Sequence, residues 1–248
     1  MSSQAAPINY GDFMGNTVTY QMVREAANSA GDSAPLFGAP TVSGDSLDFD
    51  PVGFGASTTG GGVDITDGNL AFMVKAKPGN AINNLQISEA GDTTLAGFGS
   101  DTTYSSVAMR GILNISEVDF AGINTISLPI SISNFSPSGG TFGLGTDGGG
   151  GPLFASGWTG SLLVDLTTSN PVIAAAFASQ GIVPKTGVTK ISVNFDNTLI
   201  AISQVGTSAT IAKKDNGVII RTNIPEPTTG LLVALGLALC GMVTRRGR

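Results

Sequence analysis

Histidine is absent from the 248 residues, and the only cysteine, Cys240, lies in an apolar run near the C-terminus. Histidine general bases, Ser-His-Asp and Cys-His nucleophiles, zinc sites built on His or Cys and intrachain disulfides are thereby excluded. Chemistry falls to carboxylates, lysines, tyrosines and hydroxyls. The densest acidic stretches are Asp45, Asp48 and Asp50 in "GDSLDFDP" and Asp64 and Asp67 in "VDITDGN". Oxygen ligands so spaced could hold calcium, and Asp48 and Asp50, two apart on a strand, point the same way. Neither stretch follows the twelve-residue EF-hand pattern, and Asp67-Gly68 also reads as a turn, so solvated turn carboxylates are the competing reading.

Two carboxylates that converge can cleave a glycosidic bond. Glu89, Glu117, Asp119 and Asp165 stand in or beside apolar runs, but nothing in their order says which two would meet. Trp158, the sole tryptophan, could stack on a sugar or pack in a core. The string "GLGTDG" has the glycine spacing of a dinucleotide loop, yet it runs into Gly149-Gly150-Gly151-Pro152 and cannot open the helix that such a site needs. No catalytic set emerges, and the expectation is a protein that is not an enzyme.

The elements that must position these residues are strands. Alternation is plain in "TVTYQMV" and "NLAFMVKAK" and continues through "SVAMRGILNISEVDF", "INTISLPISIS", "GSLLVDL", "KISVNFD", "LIAISQV", "ATIAKK" and "GVIIR". Short runs of this kind, separated by Gly, Asn, Asp, Ser and Pro, predict an all-β fold, an antiparallel β-sandwich or jelly roll. Asp196-Asn197 and Asp215-Asn216-Gly217 read as tight turns, which makes residues 188–222 a meander. One short helix is expected in the body, over Pro171–Ile182, with Pro at its start and Gly181 near its end. Charged residues are only 12% of the chain against roughly 25% in an average soluble domain. Residues 1–224 carry 17 acidic against 9 basic side chains, a net charge of −8, which argues against nucleic acid as a partner.

The end of the chain departs from this pattern. Between Glu226 and Arg245 lie 18 uncharged residues, including Leu231, Leu232, Leu235, Leu237, Leu239 and Val243. As a helix this stretch would span about 27 Å, close to the ~30 Å hydrocarbon core of a bilayer. Arg245, Arg246 and Arg248 follow it, and a positive cluster stays on the cytoplasmic side, which puts the β body outside. Pro225-Glu226-Pro227, an apolar helix and a terminal arginine cluster, in that order, resemble the PEP-CTERM sorting signal of exported bacterial proteins. The resemblance covers about residues 224–248 and implies processing by an exosortase-type membrane enzyme, in bacteria that usually also make exopolysaccharide. The body is similar to the Gly-rich β proteins that precede such tails, for which the resemblance implies no activity.

The resulting partition is 1–6 as a remnant of a signal peptide, 7–222 as a β-sandwich domain, and 223–248 as a sorting signal with a transmembrane helix over 228–244. Ser3-Gln4-Ala5 fits the small-x-small pattern before a signal-peptidase cut, which suggests a start assigned too far downstream. The expectation is an exported protein, held transiently at the inner membrane and then placed at the cell surface or in an extracellular matrix, of structural or adhesive type. The alternative is a carbohydrate- or calcium-binding module at the cell surface, with exopolysaccharide as partner. No cofactor beyond calcium is expected.

Overall fold

The computed structural model describes residues 6–29, 31–51 and 53–223. Fourteen strands form two seven-stranded sheets, with every pairing antiparallel. The first sheet runs β1 (Ile8–Met14), β2 (Val18–Ala27), β6 (Gly62–Ala76), β13 (Val188–Ser203), β8 (Tyr104–Val118), β11 (Thr141–Gly143), with β9 (Ala121–Ile132) also on β8. The second runs β10 (Phe135–Ser136), β12 (Leu153–Asp165), β7 (Asn84–Gly97), β14 (Thr207–Asn223), β4 (Ser46–Phe49), β3 (Thr41–Ser43), with β5 (Gly55–Thr59) on β14. The expected antiparallel all-β architecture is therefore present in the body.

Strict alternation builds the interior. On β13 the buried positions are the odd ones, Ile191, Val193, Phe195, Asn197, Leu199 and Ala201; on β7 they are Leu85, Ile87, Glu89, Gly91, Thr93 and Leu95. Period-two burial of this kind is what a strand with one face on a core requires. One end of the interior is filled by Phe37, whose ring meets Phe54, Phe49 and Phe195 edge-on at centroid separations of 5.0, 6.2 and 6.2 Å. The Phe37 loop is fixed by the buried Glu25 carboxylate, which accepts the N–H groups of Leu36 (2.9 Å), Phe37 (2.7 Å) and Gly38 (3.2 Å). The helix α1 spans Pro171–Ser179, shorter than expected; the Asn170 side chain accepts the Val172 N–H at its start, and Gly181 at φ +66° closes it.

Three expected turns are corrected. Asp196-Asn197 lies mid-strand in β13, flanked on both sides by β6 and β8. Its turn preference is overridden by tertiary partners, since Asn69 and Asn28 donate to Asp196 Oδ1 at 2.9 and 3.0 Å and Asn197 donates to Glu89. Asp67-Gly68 likewise sits inside β6, and the glycine is there because a Cβ would lie 2.8 Å from the Phe54 ring. Residues 214–217 do not form a hairpin: β14 pairs with β7 on both sides of them, Lys213 opposite Gly91 and Val218 opposite Glu89, so the segment is a bulge of three extra residues. Conversely, Asp119-Phe120, read within a strand, is a two-residue hairpin loop joining β8 to β9, with φ of +53° and +63°.

Among the described residues no helix is long and apolar enough to cross a membrane. The Pro225-Glu226-Pro227 stretch expected as a sorting motif, the apolar run over 228–244 with its expected transmembrane helix, and the arginine cluster all lie outside the described residues.

Candidate functional site

The polar residues that alternation turns inward meet in one place. Glu89 on β7, Lys213 on β14 and Asn197 on β13 each fall at a buried position of their strand, so the first two come from one sheet and the third from the other. Lys213 Nζ lies 2.9 Å from Glu89 Oε2, with neither side chain exposed to solvent. Asn197 Nδ2 donates to the other oxygen, Glu89 Oε1. One carboxylate thus holds an ammonium and a primary amide side by side.

Aromatic rings close the site. The ring centroids of Phe54 and Trp158 lie 5.3 and 5.4 Å from Lys213 Nζ, within cation–π range. Trp158 is itself braced by Phe135, edge-on at 5.9 Å. The indole has room because its register partner on β7 is Gly91, where a Cβ would lie 2.3 Å from Trp158 Cζ2 and 2.1 Å from the Ala212 carbonyl oxygen. Gly91→Ala should therefore cost about 1–3 kcal/mol through overpacking, which urea unfolding would register as a lowered midpoint at unchanged slope. Burial pulls Lys213 below the usual lysine range, opposed by the charge and hydrogen bond of Glu89. Asn197 Oδ1 and Trp158 Nε1 are buried there without a hydrogen-bond partner.

The acids singled out from the sequence are not brought together. Glu117 lies 3.9 Å from Lys75 Nζ and 3.7 Å from Lys190 Nζ. Asp165 accepts the N–H and hydroxyl of Thr167 ahead of α1. Asp119 accepts the N–H groups of Lys185, Thr186 and Gly187 at 2.8, 2.6 and 2.9 Å. Burial works against the ionised form of Asp119, but those three donors and the Lys185 charge hold its pKa below the ordinary value. Because the folded pKa is the lower one, its contribution is present above the usual carboxylate range and is lost as pH falls through the folded value. Asp119→Ala should cost about 1 kcal/mol at neutral pH, and much less in acid, by thermal melts at two pH values.

Nor do the calcium candidates form a ligand set. Asp48 is on β4 in one sheet and Asp64 and Asp67 are on β6 in the other. Asp64 accepts the Ser57 N–H at 2.7 Å. The pKa values of Asp48 and Asp67 are raised, first by burial and then by the charges of Asp50 and Asp196 respectively. Among the described residues no three acidic, His or Cys groups gather as a metal site. Trp158 is 1% exposed and is a core residue, not an open stacking platform. On the outer face of β7, β12 and β14 an open groove of about 440 Å³ is lined by the polar Gln86, Ser88, Asn134, Ser136, Thr159 and Ser161 together with Ala90, Gly160 and Ile219, and Glu89 also borders it.

Neither a family model nor a curated protein matches the chain. Among solved structures it is similar to the enzymatically active domain of tailspike protein 4 of bacteriophage CBA120 (11% identity, TM-score 0.22), covering 88% of this chain and 19% of that one. It spans, then, about a fifth of the tailspike chain. It is also similar to TmCBM61 in complex with beta-1,4-galactotriose (8% identity, TM-score 0.20, 80% and 82% covered) and to a mutant ENZbleach xylanase (10% identity, TM-score 0.23, 91% and 93% covered). Likenesses with TM-scores this low carry no argument about what the chain does.

Proposed function

We propose that the chain is an exported cell-surface or matrix protein of structural or adhesive type, non-enzymatic, carried by its β-sandwich and addressed by its tail. The observation that carries the reading is the order Pro225-Glu226-Pro227, uncharged apolar run, Arg245-Arg246-Arg248 directly after a body that ends in strand β14. In this reading the 228–244 segment anchors the chain transiently in the inner membrane and an exosortase-type enzyme removes it. Support from the body is chemical: Glu117, Asp119 and Asp165 are each engaged by neighbouring side chains or backbone, and Glu89 is enclosed. Mass spectrometry of the mature protein from its native host tests the proposal. A chain lacking the residues after the Pro-Glu-Pro motif is expected, and Arg248 retained on the bulk of the protein would overturn processing.

A second reading, a carbohydrate-binding module, is favoured by the open groove on β7, β12 and β14, where hydroxyls and amides beside Ile219 offer a polyol both hydrogen bonds and an apolar contact. Saturable glycan binding lost on Ser161→Trp would establish it, and no binding across a panel of bacterial exopolysaccharides would set it aside.

A further inference from the structure

A buried lysine, a buried asparagine and a carboxylate touching both are the complete reactant set for an amide exchange. We propose that Lys213 and Asn197 condense within the folded chain to an isopeptide bond between Lys213 Nζ and Asn197 Cγ, with Glu89 carrying the proton and ammonia as the leaving group.

The geometry supplies the proton carrier. Glu89 Oε2 is 2.9 Å from the Lys213 nitrogen and Oε1 accepts from the Asn197 amide, so one group contacts both the nucleophile and the leaving nitrogen. The ammonium must first become an amine. Transfer of one proton to Glu89 converts two enclosed charges into two neutral groups, a change that a site with no solvent exposure on either side chain favours. The amine then adds to Asn197 Cγ. Glu89 relays one proton from Nζ to Nδ2, the C–Nδ2 bond breaks, and NH₃ leaves while Glu89 keeps the proton first taken from Lys213. Atoms and charge balance with no oxidant, metal or second substrate. Phe54 and Trp158 over Lys213 keep out the water that would compete for the carbonyl. Strands β13 and β14, fixed in opposite sheets, replace a bimolecular encounter by a held one, an advantage equivalent to about 10⁵–10⁸ M of local reactant in well-oriented systems.

Asn197 has two features unusual in a core. Its Oδ1 is buried without a partner. Asn197 also interrupts an otherwise apolar inward row between Phe195 and Leu199, where its amide is turned to the Glu89 carboxylate. The inference stands on the interior geometry and is independent of where the protein is delivered.

Intact-mass spectrometry of the full chain, followed by digestion with trypsin together with chymotrypsin, which cuts after Phe195 and Leu199 and so separates Asn197 from Lys213, tests it. The expected result is a chain lighter than its sequence mass by one ammonia, no cleavage after Lys213, and a branched peptide joining the Lys213 and Asn197 segments. A chain at full sequence mass with the two segments as separate peptides would overturn the proposal. So would an ammonia loss that maps instead to a succinimide at Asn216-Gly217 or to the N-terminal region. Glu89→Ala and Glu89→Gln proteins, checked for retained β structure by circular dichroism, should show the full mass and no branched peptide. An Asn197→Asp protein should give the same branched peptide with water lost in place of ammonia. A branched peptide that formed undiminished without the Glu89 carboxylate would remove Glu89 from the chemistry.

Discussion

Lys213→Met in the full-length chain should lower the unfolding free energy by about 3–5 kcal/mol relative to parent chain in which Lys213 and Asn197 are not yet joined, the usual cost of leaving one charge of an enclosed pair without its counter-ion. Glu89 is the charge left behind: it has no solvent exposure, and in the parent chain its oxygens are taken by Lys213 and Asn197. The loss belongs to the orphaned carboxylate more than to the removed contact, and a second substitution separates the two. Adding Glu89→Leu to Lys213→Met should restore about 2 kcal/mol, the remaining shortfall coming from the Asn197 amide, which then lacks its acceptor. Urea unfolding followed by the emission of Trp158, the only tryptophan, is the measurement. A single variant within about 1 kcal/mol of the parent would show that the site tolerates an uncompensated charge, contrary to its enclosure.

Trp158→Ala should be comparably damaging, about 3–5 kcal/mol, as expected for removing a fully buried large aromatic ring. The indole lies against Gly91, stacks edge-on with Phe135 and roofs Lys213, so its removal opens a cavity next to a charge pair and admits water to it. Trp158→Phe keeps a ring at the site and should recover more than half of the loss. With the tryptophan gone, far-ultraviolet circular dichroism in urea must follow the transition. If Ala and Phe at position 158 proved equally mild, the ring would not be the cover that the packing implies.

Much of the sandwich was legible because a strand with one buried face writes its pattern directly into the chain. The apolar rows of β6, of β8 and of the two halves of β13 could be read without coordinates, whereas β7, with Glu89, Gly91 and Thr93 in its inward row, did not stand out. What misled was local turn chemistry. Asp196-Asn197 has the residues of a turn, yet β6 and β8 on either side supply ladder partners and side-chain acceptors that hold it extended. That misreading also hid the interior cluster, since Asn197 placed in a turn cannot belong to an inward row. Parity was the signal available: Glu89 follows Leu85 and Ile87, Asn197 follows Val193 and Phe195, and Lys213 follows Ala209 and Ile211, each at a two-residue step. Three polar residues in apolar rows could be suspected from this, but their convergence could not, because pairing between distant strands has no local trace. The Asp119-Phe120 loop escaped for the opposite reason: phenylalanine is a poor turn residue, and its positive φ is imposed by the hairpin and by the amides gathered on Asp119.

The strand order has a consequence for how the chain matures as it is made. The last two strands of the body, β13 and β14, are not edges; each is an inner strand of its own sheet, β13 between β6 and β8 and β14 between β7 and β4. Neither sheet can therefore close on a nascent chain until residues 188–223 have emerged, and β6 and β8 in one sheet and β7, β4 and β5 in the other wait with a bare pairing edge. Topologies dominated by such distant pairings fold slowly. Completion comes with the segment that immediately precedes the Pro-Glu-Pro motif, so the fold finishes at its own doorstep, and Lys213 and Asn197 first meet at that moment.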